Sequence, residues 1–419
     1  MVVPPSQRAK ETLATILLWE PTIPPHDSST VDSPGRSSTV KICVVHSFYS
    51  AQQPSGENEV VVLQVQALRD AGHEVLLVST DTDSVANRLG YRLGSTVRVS
   101  TGMGRNPLSD ILAFAPDVVH IHNVFPNWGY RWIGRLAVPS VLTFHNFRAM
   151  CAAGTLFRAG ETCTECLSRG PHRSVVHKCY RDSRIATLPL AVGISQGMDS
   201  WLSATKPSIC VALSQRSSSI LRREWAGNAP LVVVPNFSSS PKPRHPADRE
   251  GWVFVGRFAP EKGVIELLRH WPAEKRLRLV GTGPLDSEVR LLASEMPGVE
   301  VVGHVDRAGV SAALAESLGL VFPSMWPETA PSMSYVEAIS VGTPTIALAG
   351  NSVADDISIS GAGKVVEHLG QLGRAIDAVT RDFSEFEAAC LRRFEQNFSE
   401  SVWIDRIQDV YRTAVERGT

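Results

Sequence analysis

The chain has 419 residues, 43% of them hydrophobic and 20% charged, with 31 Gly and 27 Pro. This ordinary globular composition excludes collagen, coiled coil and disorder throughout, and the length suggests two or three domains, each able to bury its own core. Lys and Arg total 41 against 42 Asp and Glu, a formal charge of -1, so no global field draws a polyanion and nucleic acid is not an expected partner. No long apolar run appears, and the start of the chain lacks the charged, apolar and small-residue regions of a signal peptide, which points to the cytoplasm.

Taken in order, residues 1–39 mix Ser, Pro and Thr and are expected to form a disordered tail. From Lys41 the pattern changes. KICVVHSF reads as a buried strand, VVVLQVQALRDAG as a helix closed by Gly72, and HEVLLVST as a second strand, a β-α-β unit. DVVHIHN, PSVLTFHN, SICVALSQ and LVVVPNF continue the alternation, so residues 40–237 form a first doubly wound domain with a parallel sheet. Residues 238–250, rich in Ser, Pro and charge without periodicity, read as a linker. A second alternation over 251–399 runs GWVFVGRF, VIELLRHWP, RLRLVGTG, LDSEVRLLASE, VEVVGHV, SAALAESLG, LGLVFPS, PSMSYVEAIS and PTIALAG. The fold class is therefore α/β, with two Rossmann-like domains in tandem and ligands expected at the carboxyl ends of their strands. Residues 400–419 form an amphipathic helix whose stripe, Trp403, Ile407, Val410 and Tyr411, is predicted to pack back on the first domain.

The strongest chemical signal lies in the second domain. Arg257 follows the strand WVFVG and Lys262 lies in FAPEKG, where Pro260 and Gly263 signal a loop entering a helix. Two cations at a strand's carboxyl end suit a diphosphate, which Arg grips bidentately and Lys neutralises as a point charge. The turn Gly281, Thr282, Gly283 lets backbone approach a ligand, and the carboxylates Glu328 and Glu337 flank a helix start.

GRFAPEKG, LVGTGPL and FPSMWPETAPSMSYVEAISVGTP, with SGEN, LRDAGHEV, PDVVHIHN and VPSVLTFHNFRAMC before them, resemble the retaining glycosyltransferases of the GT4 family, which have the GT-B fold of two facing domains. The resemblance covers residues 41 to 415. It implies transfer of a sugar, with its anomeric configuration kept, from a nucleotide diphosphate to a saccharide or polyprenyl-linked acceptor in glycan or polysaccharide biosynthesis. It also implies that Arg257 and Lys262 hold the donor diphosphate without an obligatory metal, that Glu328 contacts the donor sugar, that Glu337 meets the ribose hydroxyls and that His145 lines the reaction centre. Gly281, Gly283, Ser332 and Gly56 join the donor-binding set. Glu328 and Glu337 stand one residue further apart than the family spacing, so a bulge is expected near Pro331, and paired glycines common around Gly56 are missing. His120 and His122 share a strand face and either border the cleft or simply pack. A nucleotide-sugar 2-epimerase and a non-enzymatic, zinc-stapled interaction protein are the competing readings.

Cys151, Cys163, Cys166 and Cys179 have the spacing of a structural zinc site, with His172 and His177 as substitutes and disulfides or plain buried thiols as the other options. Six Lys and Arg against three acids between Cys151 and Arg184 suit a phosphate-bearing acceptor and peripheral contact at the inner membrane face, or are only a solvated surface. Asp81-Thr82-Asp83 and GTGPLD are decoys: the first follows a strand of the β-α-β unit, and the second lacks the third glycine of a dinucleotide loop.

Overall fold

The computed structural model describes residues 39–50, 56–224, 229–239 and 249–418. The expected tail up to Ser38, the SGEN residue Ser55 and positions 240–248 of the expected linker lie outside these described residues. The apolar runs of the sequence become two six-stranded parallel sheets. In the first, β1 (Lys41–Phe48) is buried over six consecutive residues, the signature of a strand covered on both faces. Helix α1 (Gly56–Asp70) lays Val61, Val65 and Leu68 on the sheet and is followed by Gly72 at φ 88°, a left-handed stop that turns the chain into β2 (Glu74–Asp81). Then come α2 (Tyr91–Thr101), β3 (Val118–Asn123), β4 (Ser140–Thr143), α3 (Arg184–Ile194), β5 (Ile209–Ala212), α4 (Gln215–Arg223) and β6 (Leu231–Val233). The sheet order is β2-β1-β3-β4-β5-β6.

The second sheet uses β7 (Trp252–Val255), β8 (Leu277–Val280), β9 (Val299–Gly303), β10 (Gly319–Phe322), β11 (Thr345–Leu348) and β12 (Gly363–Val366), in the order β9-β8-β7-β10-β11-β12. Helix α5 (Val264–His270) follows β7, α6 (Met333–Ser340) follows β10 and α7 (Ser352–Ser360) follows β11. In both sheets the order reverses beside the first strand, between β1 and β3 and between β7 and β10. Such switch points open crevices at the carboxyl ends of the strands.

The last helix, α8 (Glu400–Gly418), belongs to the first sheet's core. Trp403, Ile407, Val410, Tyr411 and Ala414 are buried with Ile42, Val44, Val61 and Phe237. The Trp403 and Phe237 rings lie 4.8 Å apart, and the Tyr411 hydroxyl is 2.8 Å from His120 Nδ1. Side chains near the cleft also tie the halves together. Thr329 Oγ1 donates to the His145 carbonyl at 2.6 Å, Ser214 Oγ donates to the Thr329 carbonyl at 2.9 Å, and Arg216 grips Asp355 with two bonds of 2.7 and 2.6 Å.

Candidate active site

The second sheet presents charges. β7 runs out at Val255, and the next turns carry Arg257 and the 3₁₀ turn Pro260–Lys262. Arg257 is half-exposed and pairs with Glu261 at 2.5 Å. Lys262 Nζ lies 2.9 Å from Glu328 Oε1 and over the Trp326 ring, 5.5 Å from its centre. Ser324 Oγ donates to the same carboxylate oxygen at 2.7 Å. Glu328 is buried, so an ammonium and a hydroxyl are what hold its charge away from water. Its φ of 47° is left-handed, a backbone position that costs on the order of 1 kcal/mol for a side chain with a Cβ and that clusters at functional sites. This left-handed residue lies three positions before Pro331, and Thr329 just after it crosses to His145.

Three glycines shape this corner. Gly263, at φ 70°, would put a Cβ 2.3 Å from the Pro323 carbonyl oxygen, and Gly281, at φ 145°, one 1.9 Å from that of Gly256. A Cβ at Gly283 would meet the Phe258 carbonyl at 2.4 Å. The Gly281-Thr282-Gly283 turn therefore lies backbone to backbone against the loop bearing Arg257, with Phe258 N–H donating to the Thr282 carbonyl at 2.9 Å. The close approach read from the sequence is to that loop. Gly56, by contrast, has nothing within 4 Å of a Cβ and no positive φ, so its conformation does not demand glycine.

Glu337 lies on α6, 3.3 Å from Arg307 Nε. Burial pushes its carboxyl above the usual range, Arg307 draws it back, and Glu59 of α1 pushes it up again, so the start of α1 faces Glu337 from the other half. Ser332 stands at the N-cap of α6 without a side-chain bond to the helix backbone, and its hydroxyl lies 3.0 Å from Ser334 Oγ in the first turn.

The first sheet presents neutral groups. His46, His120, His122 and His145 gather at the ends of β1, β3 and β4. His122 Nδ1 is 2.8 Å from His145 Nε2, and the His120 and His122 rings lie 4.0 Å apart. His120 is consumed by Tyr411 and by Thr143, each at 2.8 Å, so it packs, whereas His122 pairs with His145 and both line a cavity. Burial drives His46 down to about 4 and His120 and His145 to about 3, and it drives His122 well below the ordinary histidine value. All four are uncharged at neutral pH. Glu57, at the first turn of α1, receives a bond from Asn146 Nδ2 at 3.3 Å. Burial lifts its pKa to about 8 against the pull of Arg148, and its Oε1 has no partner. Arg148 itself stacks on Phe125, 4.3 Å from the ring centre. It lines a cavity of about 140 Å³ together with His122, Asn123, His145 and Asn146. Glu57 stands within SGEN and Arg148 within VPSVLTFHNFRAMC, yet those motifs assign neither a role, and Arg307 belongs to no motif and joins the site only through Glu337.

All four cysteines of the insert are free and half-buried. They share a neighbourhood: burial, then Cys151, raises the Cys166 and Cys179 thiols, the latter to about 11, with smaller contributions from the other thiols. Among the described residues, however, no group of three or more His, Cys, Asp or Glu is arranged to hold a metal ion, so zinc would have to draw the sulfurs together. His177 and Arg173 turn instead to Glu165, at 2.8 and 2.5 Å.

Comparison with known proteins bears on both halves. Residues 54–240 match the family model described as Glycosyltransferase Family 4, and residues 249–382 the one described as Glycosyl transferases group 1. No curated protein matches the sequence. Among solved structures, sucrose-phosphate synthase from Thermosynechococcus elongatus superimposes with a TM-score of 0.63 at 17% identity, over 88% of this chain and 98% of that one. The catalytic domain of starch synthase IV from Arabidopsis thaliana, bound to ADP and acarbose, gives 0.61 at 13%, over 90% and 100%. HepE of Anabaena, in complex with UDP and glucose, gives 0.55 at 16%, over 88% and 99%. The shared architecture is GT-B.

Proposed function

We propose that this chain, a glycosyltransferase whose family 4 and group 1 halves build a GT-B fold, takes a sugar from a nucleotide-diphosphate donor held by its second sheet and passes it, with retained configuration, to a saccharide or lipid-linked acceptor at its first, in glycan or polysaccharide assembly. The observation that carries this reading is the Lys262–Glu328 pair at 2.9 Å beside Arg257, on a loop whose next residue, Thr329, bonds to the backbone of His145. The charges needed by a diphosphate and a neutral histidine thereby meet at one crevice. In this reading Arg257 and Lys262 neutralise charge that builds on the leaving diphosphate, an interaction stronger in the transition state than in the ground state. Glu328, released from Lys262 as the diphosphate arrives, turns to the sugar, and Glu337 accepts from the ribose hydroxyls. His145, uncharged, offers hydrogen bonds to the sugar without adding charge, and the bridge through Thr329 keeps water from the reacting carbon. The structural relatives whose titles name UDP, UDP-glucose or ADP support a nucleotide-sugar donor.

No helix among the described residues is long and apolar enough to cross a membrane. A structural zinc on the four cysteines remains a separate proposal, resting on their spacing and common neighbourhood and concerning stability alone. Elemental analysis of protein purified without added metal supports it at about one equivalent per chain and removes it if the thiols titrate freely without metal. Transfer itself is tested by incubating the protein with UDP-, GDP- and ADP-sugars and acceptors. A glycosylated product of retained configuration supports the reading. Free 2-epimerised sugar without acceptor replaces it with the epimerase.

A further inference from the structure

Two helices of the first half leave an apolar face open. α2 and α3 run side by side in the same direction: the Arg181 charge acts on Tyr91 at the start of α2, and a Cβ on Gly193 near the end of α3 would lie 2.4 Å from the Val99 carbonyl. Gly193 is what lets the helices approach so closely. Their inner sides, through Val99, Leu190 and Ile194, line the same cavity as His145 and Arg148. Their outer sides carry Leu93 and Val97 four residues apart, and Ile185, Leu188 and Val192 at spacings of three and four, with Leu89 in the turn just before α2, all solvent-exposed. Single exposed apolar residues need no explanation, but five on two adjoining helices, with a sixth in the turn before one of them, make a patch that does.

The charge around the patch is one-sided. Residues 88–105 hold Arg88, Arg92, Arg98 and Arg105 and no acid, and residues 176–196 hold Lys178, Arg181 and Arg184 against Asp182 alone. Arg98 turns inward to the Pro126 carbonyl and lines the cavity, which leaves six cations against one anion in a chain whose formal charge is -1. Arg88, Arg92 and Arg184 are exposed, at the flank of the stripe. An apolar stripe bordered by arginines on a solvent face is the pattern of an element that lies in a bilayer interface, with its aliphatic side chains among the acyl boundary and its cations at anionic headgroups.

We propose that the outer face of α2 and α3 docks on an anionic lipid surface and so sets the cavity beneath it against the bilayer. The inference goes beyond sugar transfer and stands without it, since lipid binding needs neither donor nor acceptor.

The test is flotation of the purified chain with vesicles of phosphatidylcholine alone or of equal parts phosphatidylcholine and phosphatidylglycerol. The chain is expected to float with the anionic vesicles only and to detach in high salt. The pair Leu93→Ser with Leu188→Ser is expected to stay at the bottom of the gradient. The pair Arg92→Ala with Arg184→Ala is expected to bind roughly thirtyfold more weakly, as two cations at a surface potential imply. Leu93 is 73% exposed and Leu188 54%, so neither change opens a core, and an unchanged unfolding midpoint together with an unchanged shift by nucleotide-sugar confirms that the rest of the protein is intact. Failure to float with anionic vesicles, or flotation indifferent to both pairs, overturns the proposal. So does a wild type that sediments as a dimer which the serine pair converts to monomer, because the face would then be covered by a second copy.

Discussion

The two halves meet one cleft with opposite chemistry. On the second sheet the charges are linked in three pairs, Arg257 with Glu261, Lys262 with Glu328 and Arg307 with Glu337. On the first sheet four histidines are held uncharged by burial, and Glu57 is held protonated up to about 8. The contrast is one of degree, since Arg148 lines the cavity beside His145 and Glu59 faces Glu337. Keeping most charge on one side leaves fewer groups opposite to compete with a diphosphate or repel it.

The contrast can be broken most forcefully through the last helix, which links the end of the chain to the first sheet. Trp403 is buried against Phe237, so Trp403→Ala should cost about 3–5 kcal/mol of stability, read as a fall in denaturation midpoint. A loss below about 1 kcal/mol would mean that the first sheet does not depend on α8. Next in size, Lys262→Ala should lower turnover about a hundredfold, the cost of one preorganised donor at a developing charge, while circular dichroism shows a folded chain. Because Lys262 also neutralises buried Glu328, a drop in midpoint should accompany it, and Lys262→Ala with Glu328→Gln should recover stability without recovering turnover. Recovered turnover in the double variant would reduce the lysine to a structural partner.

A smaller effect probes the bridge between the halves. Thr329→Val removes the bond to the His145 carbonyl and should cost about 1 kcal/mol, while donor affinity falls less than turnover. Equal losses in both would place Thr329 in donor binding instead. The pH profile sharpens the contrast last. A histidine held near 3 or 4 and unfolding to an ordinary value stabilises the fold above about 6.5 and loses that contribution as the pH falls towards 3. Glu57 works in the opposite sense: its contribution is present below the ordinary carboxyl value of 4.5 and is lost as the pH rises through about 8. Stability should therefore decline on both limbs. Glu57→Gln should flatten the alkaline limb alone, and a decline left unchanged in that variant would assign the limb to another group.

Much of the second half was legible in the sequence because its charged residues lie in short local runs. GRFAPEKG places Arg257 and Lys262 on one loop, and YVEAIS places Glu337 on one helix. Both parallel sheets were legible too, from Val- and Ile-rich strands bounded by glycine. The first half hides more. Tyr91–Thr101 reads poorly as a helix because Gly94 interrupts it and no residue of α2 is buried. Arg184–Ile194 contains Pro189, and a nearly continuous apolar run has no stripe to reveal which side faces solvent. The neutrality of the histidines and the protonation of Glu57 arise from burial by segments dozens of residues away, which no spacing records. The same holds for the cysteines, whose spacing suits zinc although the described residues show no arranged ligand set.

The most direct test of the central claim, that the charges at the end of β7 form the donor diphosphate site, is a thermal-shift titration of wild type and of the Arg257→Ala, Lys262→Ala double variant with UDP-, GDP- and ADP-sugars. A bound donor stabilises the folded chain by about 2.7 kcal/mol at a hundredfold excess over its dissociation constant. The account predicts that at least one nucleotide-sugar raises the wild-type midpoint and that the double variant, folded as judged by its own cooperative transition, shows no rise. A rise of equal size in the double variant, or none in wild type with any of the three donors, would contradict it.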